Sequence, residues 1–181
     1  MSRVCRTAAF LVLAIASTWV AAAPAKSSKT LTVGKTSVTM DWSPSWQIDP
    51  NIAALPPESA AFNTADATKL RALLSTGPMR KEISTDEGIR EIAADMAVKL
   101  ESQSVEKKIE VQRVEGEHSR GYYVCATDRA PKAGEYKYMC QGMASVDGTV
   151  IVFTVLYNDS GMAEADKVIA AMKTLQIARK T

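Results

Sequence analysis

Residues 149–157, Thr-Val-Ile-Val-Phe-Thr-Val-Leu-Tyr, constrain the fold more than any other stretch of the chain. Successive side chains of a strand point to opposite faces. Here both alternating sets are mainly apolar: Ile151, Phe153 and Val155 in one, Val150, Val152 and Leu156 in the other. Such a strand belongs at the centre of a sheet that is covered on both sides. Asp147-Gly148 immediately before it is a two-residue type I′ hairpin signal. Taking that turn as fixed sets the register with the preceding strand candidate, 136–146. Val146 then faces Thr149, Gly142 faces Phe153, and Cys140 faces Val155.

The remaining pattern supplies the cover. Ser84-Thr-Asp-Glu87 reads as a capping box in which Ser84 and Glu87 satisfy each other's free amides. Ile89, Ile92, Ala93, Met96 and Leu100 then repeat at helical spacing, predicting a helix over 85–103. Near the C-terminus Met162, Ala165, Val168, Ile169, Met172 and Leu175 form a second such face, with Ser160 as its cap. Lys173, Arg179 and Lys180 suit the negative end of that helix.

Four successive strands are expected between the helices, at 109–114, 121–127, 136–146 and 149–157. Ahead of the first helix, 31–46 has strand character up to the Ser43-Pro44-Ser45 break, and 49–59 is an irregular, proline-rich connection. A hairpin follows, 60–64 with 69–75, around Ala65-Asp-Ala-Thr68. The expectation is a single α+β domain over 31–178, an antiparallel sheet between two helices, preceded by a flexible leader at 26–30. A length of 181 residues suits one domain.

The N-terminus has the three parts of a secretory signal. Arg3 and Arg6 form a positive start, 8–16 is continuously apolar, and small residues run from Ala21 to Ala25. Cleavage after Ala25 leaves Lys26 first; cleavage after Ala23 would place Pro24 directly behind the scissile bond. The apolar stretch 8–23 falls short of the ~20 residues of a spanning helix, so no stable membrane insertion is expected after signal removal. A lipid-accepting cysteine would stand at the cleavage point, and Cys5 is far too early. Losing the signal leaves acidic and basic side chains equal at 20 each, which offers no basic surface for nucleic acid. The expected compartment is the periplasm or the exterior.

Cys125 and Cys140 are then the only cysteines left. An even count in an exported chain reads as a disulfide. If 121–127 and 136–142 pair across the turn-rich 128–134, the two cysteines stand opposite one another, within bridging distance. A redox-active or metal-binding pair is the competing reading, and it lacks a C-x-x-C spacing or a nearby histidine.

This element order resembles the fold of PsbP, the extrinsic photosystem subunit, which a yeast Ran-binding transport factor and small bacterial exported proteins share. The resemblance spans 31–177. It is carried by Met40-Asp-Trp42-Ser-Pro44-Ser-Trp46, the long amphipathic helix, Gly121-Tyr-Tyr-Val-Cys125, the Asp147-Gly148 hairpin and the closing helix. It implies a binding or assembly factor rather than an enzyme, and it carries over no set of functional residues.

Candidate chemistry is sparse. His118 is the single histidine. Glu115 and Glu117 beside it are metal-ligand types, and a solvated loop accounts for the same residues. Met96, Met139, Met143, Met162 and Met172 suggest copper(I), although their spacing places them at core positions, where methionine is a flexible filler. Gly34-Lys35-Thr36 copies the end of a phosphate-binding loop without its first glycine, since Lys29 stands there. No G-x-S-x-G elbow is present. The acidic pairs Asp86/Glu87 and Glu164/Asp166 suit helix N-termini. Trp46 and Tyr136 lie beside loops and are the candidates for a partner-binding surface, with core or rim packing, as aromatics near strand ends seal a sheet, as their alternative. The expected function is a non-catalytic exported protein that needs no cofactor or metal and binds another envelope protein. An envelope metal or small-molecule carrier, and an inhibitor or immunity protein against a toxin or hydrolase, are the alternatives.

Overall fold

The structure, a computed structural model, describes residues 27–51, 55–77, 83 and 85–178. The signal expected at 1–25, its cleavage point at Ala25, and Ser84, Arg179 and Lys180 lie outside them. The described chain is α+β, with two antiparallel sheets and two helices.

The smaller sheet corrects the first expectation, that of a single sheet. β1 (Ser27–Val33) and β2 (Thr36–Trp42) form a hairpin rather than one strand, with Ser27 opposite Trp42. The chain reverses at Gly34-Lys35, where Gly34 has φ +63°, a conformation that glycine adopts without a Cβ penalty. Of the expected flexible leader 26–30, Lys26 lies outside the described residues, and Ser27–Thr30 are strand, paired with Thr39–Trp42. The third strand, β10 (Gln176–Ile177), joins β2 from the far end of the chain.

The larger sheet has the order β3-β4-β5-β9-β8-β7-β6. It comprises β3 (Trp46–Ile48), β4 (Ser59–Thr64), β5 (Leu70–Gly77), β6 (Gln112–Glu115), β7 (Ser119–Thr127), β8 (Tyr138–Val146) and β9 (Thr149–Tyr157). β9 sits at its centre, and Val146, Gly142 and Cys140 face Thr149, Phe153 and Val155 as the turn predicts. Asp147 at φ 47° and Gly148 at φ 81° make the type I′ geometry. Cys125 faces Cys140 in the β7–β8 register, and the two are joined as a disulfide.

The two helices end differently from the sequence reading. α1 (Asp86–Glu101) starts one residue later than a Ser84 cap would place it. Thr85 is the cap, accepting from the Gly88 amide at 3.1 Å. α2 (Met162–Met172) has no side-chain cap; Ser160 lies inside a 3-10 turn (Asp159–Gly161) that leads into it. Met162, expected in the core, is 47% exposed.

The alternation of β9 divides between two apolar clusters. Ile151, Phe153 and Val155 pack with Val33, Val38 and Met40 of the small sheet and with Val168, Ala171 and Met172 of α2. Val150 packs with Ile89 and Ala93 of α1 and with Tyr122, and Val152 and Met143 are partly buried against them. Ile151, Phe153 and Val155 are essentially inaccessible, whereas Val152, Thr154 and Leu156 are only half-buried. The first set has a complete cover. The second does not, and the site follows from that.

Candidate functional site

α1 covers the second face over β7 and β8 and ends before the strand ends do. Beyond it lies a groove of about 550 Å³, within the ~300–1,000 Å³ usual for ligand sites. Its floor is a row of apolar side chains set by register: Ala126 pairs with Met139, and Met139 with Leu156. Leu100, in the last turn of α1, closes one end, and Tyr136 in the β7–β8 connection stands as a wall.

The walls are held by polar contacts, each traceable to a local residue choice. Burial pushes the Glu106 carboxyl up. Hydrogen bonds from the Ser104 hydroxyl, from the Thr127 hydroxyl (2.6 Å) and amide (3.0 Å), and from its own amide outweigh that and bring it down to about 2. Glu106 is therefore an anion that ties the turn after α1 to the end of β7. Arg129 reinforces the join, its guanidinium donating to the Ser104 carbonyl at 2.7 and 3.1 Å. Across the groove the Tyr136 hydroxyl donates to the Ala67 carbonyl of the β4–β5 turn, and the Lys137 amide donates to Asn158 Oδ1 at 2.8 Å. On the opposite face of the same strand ends Tyr138 stacks on Tyr157 at 5.1 Å between centroids, and its hydroxyl donates to Asp159.

One strand further along the same row, Arg71 pairs with Leu156, and Asn63 with Arg71. Arg71 Nε lies 2.7 Å from Asp49 Oδ2, an ion pair whose hydrogen-bond alignment is poor. Asp49 is buried, and its other oxygen accepts from the Asn51 amide at 2.8 Å. Asn63 is buried, and among the described residues no hydrogen bond reaches its Oδ1.

Of the two aromatics named from the sequence, Tyr136 lines the groove and Trp46 does not. Trp46 is 5% exposed, and this corrects its assignment to a surface. Its register opposite Thr64 sets it against Phe62 and Trp42, and its Nε1 donates to Glu164 Oε2 at 2.9 Å. Glu164 thus anchors a tryptophan as well as occupying the first turn of α2.

His118 lies elsewhere, at the β6–β7 turn, between cavities of about 360 and 260 Å³. Its Nδ1 is 3.2 Å from Asp147 Oδ1 and its Nε2 is 3.7 Å from Glu117. Glu115 pairs with Arg113 at 3.3 Å. Among the described residues no three His, Cys, Asp or Glu side chains are grouped to hold a metal. The methionines do not converge: Met172 is in the first cluster, Met96 and Met143 pack against the second, and Met162 is exposed.

The register set by Asp147-Gly148 and by the cysteine pair already puts Met139 opposite Leu156 and Ala126 opposite Met139, but no sequence signal shows that α1 leaves this row uncovered or that Leu100 closes it. The groove arises because a sixteen-residue helix is too short for its sheet and the β7–β8 connection folds up beside the gap.

The class this defines is an α+β protein with two antiparallel sheets, two helices and a disulfide in its large sheet. No family model and no curated protein matches the chain. Among solved structures it is similar to a protein from Bacteroides thetaiotaomicron at 12% identity and a TM-score of 0.44, over 79% of this chain and 46% of that one. This chain therefore spans less than half the length of that protein. It is also similar to LpqN of Mycobacterium tuberculosis, described as involved in cell envelope biogenesis, at 12% identity and a TM-score of 0.40, over 84% of this chain and 91% of that one.

Proposed function

We propose that this chain is a PsbP-like protein exported to the envelope, where it acts non-catalytically by binding another protein. The observation that carries the reading is the groove over Ala126, Met139 and Leu156, an apolar floor left half open beside a tyrosine wall. A concave apolar floor with a few polar groups at its rim is the usual form of a recognition site, and it suits an anchoring side chain of a partner. Val105, 59% exposed in the turn after α1, extends apolar surface beyond the groove. The signal-like N-terminus and the Cys125–Cys140 disulfide support export, because disulfides persist in oxidising compartments. No helix among the described residues is long and apolar enough to cross a membrane.

The test is site-specific photo-cross-linking in cells, on the chain carrying its own leader. A benzophenone side chain replaces Tyr136 in the groove or, as a control, exposed Lys35 in the β1–β2 turn. The reading expects a discrete protein adduct in the periplasmic fraction from position 136 and none from 35. Adducts absent from both, or equal at both, count against it.

A further inference from the structure

We propose that a second copy of this chain fills the groove, each copy seating Val105 on the other's apolar floor about a two-fold axis. This rests on the reading that the groove is a protein-contact site, and it names the protein that occupies it.

The knob comes from the turn after α1. Val105 is 59% exposed although the backbone around it is fixed. Its amide donates to the Thr127 carbonyl at 2.9 Å. The side chains of Ser104 and Glu106, on either side of it, are both bonded to Thr127, and Arg129 holds the Ser104 carbonyl. An apolar side chain is thus presented to water by a turn with little freedom left to lose, which lowers the entropic cost of association.

The hole is the groove itself, about 550 Å³ over a half-buried floor of Ala126, Met139 and Leu156. Ser104 and Thr127, the residues that hold Val105 in place, also line the groove, so knob and hole stand side by side. A two-fold axis between them lets both copies make both contacts at once, which is the requirement of a closed, self-complementary dimer.

The charges match in the same arrangement. Lys107 and Lys108 follow Val105, are exposed, and have no ion pair or hydrogen bond among the described residues. Glu106 between them and Val105 turns its carboxylate inward onto Ser104 and Thr127. The rim of the groove carries the opposite sign. Asp128 and Glu135 line it, and among the described residues each accepts only from a loop amide, those of Ala130 and Lys132. Lys137, the cation among the lining residues, is committed to Asp159 at 3.2 Å. Of the other cations in this connection, Arg129 is turned onto Ser104 and Lys132 stands outside the lining. Seating Val105 brings Lys107 and Lys108 to the other copy's Asp128 and Glu135, and the two-fold repeats the match. Complementary charge of this kind fixes the register of an interface.

The experiment is sedimentation velocity of the purified chain from micromolar to millimolar concentration, joined to cross-linking from a benzophenone side chain at position 105. Isotope-labelled and unlabelled chains are mixed so that an adduct between copies is told from one within a copy. The expected result is a reversible dimer and a mixed-isotope adduct from position 105 to the peptide that holds Met139 or Leu156. Val105→Asp should weaken dimerisation roughly thirty-fold or more. Because Val105 is exposed, that variant should keep the unfolding midpoint of the parent. Lys107→Glu with Lys108→Glu should weaken the dimer roughly ten-fold, and adding Asp128→Lys and Glu135→Lys to the same chain should restore it. A chain that stays monomeric, assemblies that grow past the dimer, or a position-105 adduct outside the groove overturns the inference. The cross-link from position 136 separates that failure from failure of the contact reading. An adduct with the mass of two chains supports the second copy, whereas an adduct to a different protein keeps the groove a contact site and removes the second copy from it.

Discussion

The two faces of the large sheet are built from the same strands and finished differently. On one, Phe153 and Val155 meet α2 and the small sheet, and Leu31, Val33, Val38, Met40 and Leu175 fill the space between layers. On the other, α1 seals the β7 end with Ile89, Ala93 and Ala97 and leaves Leu156 and Met139 half-buried. The alternating pattern alone makes these faces equivalent. What separates them is how much covering structure reaches each one. Stability is concentrated where the cover is complete, and the proposed contact site lies where it stops short.

The largest expected effect tests that division directly. Phe153→Ala should cost about 3–5 kcal/mol, the range for emptying a well-packed aromatic site. Leu156→Ala, on the same strand but in the groove, should cost about 1 kcal/mol, because little surface is removed from water there. Urea unfolding of both variants is the measurement. Similar losses would mean that the second face is as closed as the first, and the comparison would break.

Next comes the disulfide, which spans a sequence separation of 15 across the β7–β8 connection bordering the groove. Replacing both cysteines with alanine should cost about 3 kcal/mol through the entropy returned to the unfolded chain. The fold should survive, because the β8–β9 register is set by its own turn. Unfolding midpoints with and without reductant check this on the unaltered protein.

Glu106 should contribute less and in a pH-dependent way. Its folded-state value is lowered from 4.5 to about 2, so its contribution is fully present above about pH 4.5. It is lost as pH falls through about 2. Glu106→Gln should lower stability at neutral pH by about 1–2 kcal/mol, a figure discounted for its partial exposure, and should flatten the acid limb of the stability curve. A variant that loses stability but keeps the same acid limb would show that another carboxylate governs that range. Because Glu106 ties the groove's wall, the same variant should also weaken the cross-link from position 136.

What the sequence made legible and what it hid follow a physical line. The β8–β9 register could be read because Asp147-Gly148 permits a single tight turn and fixes every pair behind it. The disulfide followed from the same alternation. The β1–β2 hairpin was missed because Gly34-Lys35 is a weaker turn signal and Ser27–Thr30 are polar and exposed, as an edge strand allows. β10 is two residues long, and its pairing of Gln176 with Thr39 depends on where α2 delivers the chain. Trp46, beside Ser43-Pro44-Ser45, was open to a surface or a core reading, and its register opposite Thr64 decides for the core by turning it inward onto Phe62. Of the groove, only Tyr136 was foreseen. Its floor pairs follow from the register already read, but that α1 stops short of covering them depends on how the helix packs on β7.

The smallest effect concerns the helix that leaves the groove open, and it sets the structure against the sequence reading. A capping box centred on Ser84 would make Ser84→Ala the costly change. In the structure Thr85 holds the Gly88 amide, with Asp86 and Glu87 in the first turn, where acidic groups oppose the positive end of the helix. Thr85→Ala should therefore cost about 1 kcal/mol and Ser84→Ala only a few tenths. The amides at the N-terminal turn of α1 should exchange faster with solvent in the Thr85 variant alone. Since Asp86 also accepts from the Tyr122 hydroxyl at 2.8 Å, loosening this turn should be felt at Tyr122 on β7 and fade before Leu100 at the groove. Loss of protection reaching Leu100 would mean that α1 opens as one unit, and that the groove's edge is set by the helix start rather than by its own contacts with β7.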